Sequence, residues 1–283
     1  APANSDTVVF DAGNTDCLYN LSTTLTGLTI NVLPGFTGKI GLPEINANGY
    51  DEYRTKSLTT AGGTTTVLIN NDRIQRCRLA FGANTATVVV RDTGTREDNS
   101  VPPVLLTGGD GSSTLVITRG DVGAAFYSGE TAQFTTLDMS YMANPMTDAK
   151  FYGYTGLTLA TLRKNGGIAT FWGNVTTITQ GANGGVTTFW AGTPATANID
   201  GGTLVYNSST APAGTAWRVS GKGIIDFDQD PRAKTASTTI AMYGPYSKIR
   251  DSKKVVASFA VNCQYGATAG QIDRGDNNTV TYS

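Results

Sequence analysis

Asp226, Asp228 and Asp230 alternate along the run Ile224-Ile225-Asp226-Phe227-Asp228-Gln229-Asp230. On an extended strand alternate side chains share a face, so this spacing predicts three neighbouring carboxylates. Two of them could act as acid and base in cleaving a glycosidic bond, a chemistry found on several β-helical enzymes. The three could instead offer hard oxygen ligands to Ca²⁺. The simplest reading is a solvated face ion-paired to Arg232 or a lysine, because catalytic carboxylates come with a defined pocket and partners. No catalytic residue and no cofactor is therefore assigned, and the three aspartates are held only as weak metal candidates. The chain has no histidine. That removes His-based triads, His general bases and the commonest zinc and iron ligands. No phosphate-binding glycine loop or dinucleotide fingerprint is present.

Other residues point to contact rather than catalysis. Tyr152, Trp172 and Trp190 recur at coil spacing and are expected to form an outward aromatic ladder. Exposed aromatics in a stripe mark a contact surface, here with a neighbouring subunit or a sugar chain. With the faces reversed they would be core. Arg119-Gly120-Asp121 and Arg274-Gly275-Asp276 repeat a tripeptide used in adhesion. Arg and Asp flanking a turn glycine more commonly pair with each other. Lys248, Arg250, Lys253 and Lys254 form a basic cluster, expected as a solvated face.

The elements that carry these residues repeat. Gly166-Gly167-Ile168-Ala169-Thr170-Phe171-Trp172-Gly173 returns eighteen residues later as Gly184-Gly185-Val186-Thr187-Thr188-Phe189-Trp190-Ala191, then more weakly as Gly201-Gly202-Thr203-Leu204-Val205-Tyr206. A fixed period built from β-branched and aromatic residues, broken by Gly-Gly, is the signature of a solenoid. No window has apolar spacing long enough for paired helices. Phe151, Phe171, Phe189, Tyr206, Phe227 and Tyr243 form an aromatic column at intervals of 20, 18, 17, 21 and 16 residues. Two positions earlier stand Ala149, Ala169, Thr187, Leu204, Ile225 and Ala241, on the same face by strand alternation. That face is the expected core, with rings stacked coil upon coil at ~4.8 Å.

The predicted fold is a single-chain, all-β parallel β-helix, or β-solenoid, with coils of ~17–20 residues. Residues 1–6 are expected as a flexible arm, 7–250 as the solenoid, and 251–283 as a cap or interaction tail. In the first half the strands are expected at Thr7–Phe10, Leu25–Val32, Thr64–Ile69, Cys77–Phe81, Thr87–Val90, Pro102–Leu106, Ser113–Ile117 and Gly123–Tyr127, with insertions at 43–60 and 92–101. Charged residues make up 15% of the 283 residues and the formal net charge is −1. Neither nucleic acid nor a membrane surface is expected as a partner. No apolar run of ~18 residues offers a transmembrane helix. Cys17, Cys77 and Cys263 are far apart and odd in number, so buried thiols are expected rather than a disulfide framework.

The run Leu28-Thr29-Ile30…Gly35-Phe36-Thr37-Gly38-Lys39-Ile40-Gly41-Leu42-Pro43, the Gly-Gly coils, and Gly223-Ile224-Ile225-Asp226-Phe227-Asp228-Gln229-Asp230-Pro231-Arg232 followed by Thr238-Thr239-Ile240 resemble β-helical structural proteins encoded in tailed bacteriophage genomes. The resemblance covers most of the chain and implies a non-enzymatic virion protein on the capsid exterior. Decoration, or cementing, of the major capsid protein is the role it implies first. A homotrimer seated on local three-fold axes, joined through Tyr152, Trp172 and Trp190, is the expected assembly. A tail protein that binds host glycan, and a polysaccharide-degrading enzyme using the aspartates, are the alternatives.

Overall fold

The computed structural model describes residues 2–98, 100–140, 149–209, 216–232, 239–256 and 260–273. The fold is an all-β parallel β-helix. Among the described residues the only helical element is the 3₁₀ turn Ala269–Gln271. The chain divides into two compact units, Ala1–Leu137 and Asp138–Ser283.

In the first unit the strands are β1 (Thr7–Phe10), β2 (Thr29–Val32), β3 (Leu58–Thr59), β4 (Thr65–Asn70), β5 (Cys77–Ala80), β6 (Ala86–Asp92), β7 (Val104–Thr107), β8 (Thr114–Ile117) and β9 (Gly120–Ala124), with β10 (Ala132–Met139) running across the boundary. They stack in parallel as β1-β2-β4-β6-β8 on one sheet and β3-β5-β7-β9 on another. The register aligns Ile30, Val67, Val88 and Leu115 in one column and Val32, Ile69, Val90 and Ile117 in the next. All eight are buried. β-Branched side chains suit this because each fills the pleat above its twin in the coil below. The predicted insertions appear, and among the described residues they are where antiparallel pairing occurs, at Ile45–Asp51 and Asp98–Val101. Residues 3–6, expected as an arm, are tied down. The Ser5 N–H donates to the Thr26 carbonyl at 2.9 Å. The Thr26 N–H donates to Asn4 Oδ1 at 3.0 Å.

In the second unit the strands are β11 (Ala149–Gly153), β12 (Leu157–Lys164), β13 (Ile168–Phe171), β14 (Val175–Gln180), β15 (Val186–Phe189), β16 (Pro194–Ile199), β17 (Thr203–Tyr206), β18 (Ala216–Val219), β19 (Ile224–Asp226), β20 (Thr239–Tyr243), β21 (Lys248–Arg250), β22 (Ala260–Gln264) and β23 (Ile272–Asp273). One sheet runs β12-β14-β16-β18-β20-β22 and the other β11-β13-β15-β17-β19-β21-β23. The two inner faces meet where Trp217 of β18 packs on Tyr206 and Phe227, with ring centroids 5.4 and 6.3 Å away. Coil stacking continues past residue 250, through Asp273. The Gln271 side chain holds this last coil, donating to the Gly244 and Ser247 carbonyls at 3.0 and 2.7 Å.

Candidate functional site

The aromatic column is real but shorter than its sequence pattern. Phe171, Phe189 and Tyr206 stand in register on β13, β15 and β17. All are fully buried, with centroids 5.2 and 6.3 Å apart. Phe227 follows at 6.0 Å from Tyr206. The first and last members differ. Phe151 pairs with Ala169, and Gly153 stands opposite Phe171. The eighteen-residue period therefore holds here too, and the match of Phe151 to Phe171 at twenty is a slip of two. Gly153 is needed because a Cβ there would meet Leu157 and the Phe171 ring at 2.5 and 2.9 Å. Phe151 still reaches Phe171 diagonally, at 5.8 Å. Tyr243 belongs to the other sheet, pairs with Gln264 and stacks on Tyr265.

The same slip changes the outer ladder. Tyr152 pairs with Thr170, and it is Tyr154 that stacks flat on Trp172, at 4.6 Å and 5°. Trp190 continues this strip, since its N–H donates to Phe171 one step beyond the Phe171–Phe189 pair. Trp190 is 48% exposed, whereas Tyr152, Tyr154 and Trp172 are half-buried.

The three aspartates do not share a strand face. β19 ends at Asp226, because its carboxylate accepts the Asp228 N–H at 2.8 Å and turns the chain. Asp226 also lies 3.6 Å from Arg250. Asp228 accepts from Ser252 Oγ at 2.9 Å and from the Lys253 N–H at 3.2 Å. Asp230 accepts from the Arg232 N–H and Nε at 3.1 and 2.9 Å. Each carboxylate thus has its own partners, and among the described residues no three His, Cys, Asp or Glu side chains gather as metal ligands. All four members of the basic cluster, Lys248, Arg250, Lys253 and Lys254, are exposed as expected, with Arg250 facing Asp226 and the Lys253 Nζ donating to the Asp228 carbonyl at 2.7 Å. In the first tripeptide, Arg119 faces Asp92 at 3.3 Å and Asp121 faces Arg96 at 2.9 Å, so neither pairs with the other. The second tripeptide lies outside the described residues.

Two polar clusters had no motif to announce them. In the second unit Lys164 is 2% exposed and aligns with Gln180 and Ile199 along the core wall. Its Nζ donates to the Gly184 carbonyl. Gln180 donates to Gly201 at 2.8 Å and accepts from Thr187 Oγ1 at 2.8 Å. These side chains satisfy the carbonyls of the Gly-Gly corners, which would otherwise be buried unpaired. Burial pushes the Lys164 amine down to about 7. The visible signal was alternation: Leu162 and Lys164, like Ile178 and Gln180, sit two apart and share a face.

In the first unit the insertions at 43–57 and 93–103 wall a cleft of about 240 Å³ with Arg76, Arg78 and Tyr127. Glu44 binds both Lys56 and Arg78, at 2.5 and 3.4 Å. Glu97 binds both Lys39 and Arg76, at 2.6 and 2.8 Å. Arg78 Nη2 donates to the Tyr127 hydroxyl at 2.7 Å, with its guanidinium 4.9 Å from the Tyr127 ring. No signal in the sequence could have joined these residues, which are scattered from 39 to 127. Cys17, Cys77 and Cys263 are free thiols. No protein-family model, curated protein or solved structure matches the chain.

Proposed function

We propose that the protein is a non-enzymatic structural component of a bacteriophage virion, a decoration protein that binds and stabilises the major capsid shell. It acts as a homotrimer whose subunits meet along the wall bearing Tyr154, Trp172 and Trp190, with Tyr152 at its edge. The observation that carries this reading is Trp190, about half exposed at the end of a stacked Tyr154–Trp172 pair. A large aromatic held out from a rigid parallel ladder costs solvation unless a partner covers it. Cyclic symmetry covers such a strip with the same strip of a neighbour. The phage assignment itself comes from the sequence resemblance. The partnered carboxylates of Asp226, Asp228 and Asp230 favour this reading over glycoside cleavage, because each is engaged in or beside the turn that follows β19.

Light scattering on the purified chain checks the assembly. Three times the 29.6 kDa chain mass is expected, and Trp172→Ser with Trp190→Ser should release folded monomer. A monomeric parent chain at micromolar concentration overturns the trimer. Co-sedimentation with shells stripped of the protein checks the location. Failure to sediment with heads, with recovery on tails instead, overturns decoration.

A further inference from the structure

The guanidinium of Arg78 is the odd group in the first unit. Its side chain is 5% exposed, yet its Nε has no hydrogen-bond partner. A buried unsatisfied donor is costly, the more so on a charged group, so its retention calls for an explanation. Arg78 lines the cleft between the two insertions. Its contact to Glu44 is long, at 3.4 Å, and Glu44 is held more closely by Lys56. Glu97 is likewise held by Lys39 and Arg76. Two carboxylates therefore serve four cations. Of the other carboxylates nearby, Asp98 accepts from the Ser100 N–H and Oγ within its own insertion, and Glu130 accepts the Tyr127 N–H. Arg78 is left with donor capacity and no nearby anion that answers it fully.

The lining is mixed: Gln75, Arg76, Glu97, Asp98 and Tyr127 share it with apolar residues. Pro43 and Ile45 come from one insertion, Val101 and Pro102 from the other, and Leu105 from β7. A concave, partly apolar wall on which two guanidinium groups, Arg76 and Arg78, converge is able to bind a small organic anion. The planar guanidinium fork matches a carboxylate better than it matches a point charge. About 240 Å³ admits one ring-sized body.

We infer that this cleft is a binding site for a small carboxylate on an apolar, ring-sized body, held through the Arg78 guanidinium with the body between Ile45, Val101 and Pro102. The ligand bridges the insertions at 43–57 and 93–103, whose carboxylates are otherwise held separately, Glu44 by Lys56 and Arg78 and Glu97 by Lys39 and Arg76. It is independent of the virion assignment, because it needs only the first unit's own residues.

The test is titration of the full chain with benzoate, followed by calorimetry and by amide shifts in NMR. Benzamide is the uncharged control and glucuronate the sugar-acid arm. Benzoate should bind at least ten-fold more tightly than benzamide, with shifts at residues 43–45 and 101–105. Tighter binding of glucuronate than benzoate would overturn the apolar body and make the site one for sugar acids. Arg78→Lys should weaken benzoate at least ten-fold, since it keeps charge and loses the fork. Glu44→Gln should tighten it several-fold by removing the competing carboxylate. If the Arg78 variant unfolds, Val101→Phe fills the cleft from an insertion and should abolish binding with the ion pairs intact. Equal binding of benzoate and benzamide, or unchanged benzoate affinity in Val101→Phe, overturns the proposal.

Discussion

The second unit turns its coils at Gly184-Gly185 and Gly201-Gly202, while between β2 and β3 the first unit opens into a long insertion with its own antiparallel bridge. At the tight corner, Gly185 has φ +67°, and a Cβ there would overlap the Gly167 carbonyl oxygen. Nothing can be inserted at these corners without separating the ladder, so from Phe151 through Ala169 and Thr187 to Leu204 the period stays near eighteen and can be seen by eye. In the first unit the core columns are just as strictly aligned, Ile30 on Val67 on Val88 on Leu115. Their sequence intervals are nevertheless uneven, because chain leaves the coil between strands and returns without disturbing the register. Loop closure costs grow only slowly with length, so such insertions are cheap. The comparison teaches that strict corners make a solenoid legible, and relaxed corners give it a cleft.

The largest expected effect tests the aromatic column of the second unit. Phe189→Ala removes a fully buried ring stacked on two others and should cost about 3–5 kcal/mol by chemical denaturation. A near-neutral result would remove the column as the source of that unit's stability. The corners come next. Gly185→Ala combines left-handed strain with backbone overlap and should cost about 2–5 kcal/mol. Gly129→Ala, at φ +83° with nothing within 4 Å, should cost only about 1 kcal/mol. Equal costs at the two glycines would break the distinction between strict and relaxed corners.

Two buried groups should give the units opposite responses to pH. Lys164 has its amine lowered by burial to about 7, so the unfolded chain binds the extra proton above that pH. Its contribution should rise between pH 7 and 10.5 by about 1 kcal/mol per unit, and Lys164→Met should flatten that slope. Burial of Cys77 pushes its thiol up to about 12, with Cys17 adding a smaller push. The folded state then holds a proton that the unfolded chain loses, so stability is full below pH 9 and falls as pH rises toward 12. Denaturation of Cys77→Ala across that range should show a shallower decline; the same decline as the parent would exclude Cys77 as its cause. The smallest effect belongs to the outer strip: Trp190→Ser should change monomer stability by no more than about 0.5 kcal/mol. A larger loss would place Trp190 in the fold rather than at a contact.

Most of the fold was legible before any coordinates. Gly-Gly corners, β-branched runs and an eighteen-residue repeat determine parallel coils with Phe171, Phe189 and Tyr206 inside. Strand alternation assigns faces whatever the exact register, and a slip of two preserves the face. Phe151 therefore falls in the core on either alignment, although its neighbour along the ladder is Ala169. For the same reason Tyr152 could stand in for Tyr154 in the sequence pattern. Asp226, Asp228 and Asp230 looked like one face because alternation was extrapolated past the point where the Asp226 carboxylate ends β19 by binding the Asp228 N–H.

The sequence by itself determined the coil, its inward residues and the insertions, since each depends on side chains close along the chain. Tertiary structure alone decided which coil position lies above which, and so brought Arg78, Glu44, Glu97 and Tyr127 around one cleft and Lys164 to the Gly184 carbonyl. Stacking sets those neighbours through backbone hydrogen bonds between coils, and those bonds are indifferent to the side chains they bring together.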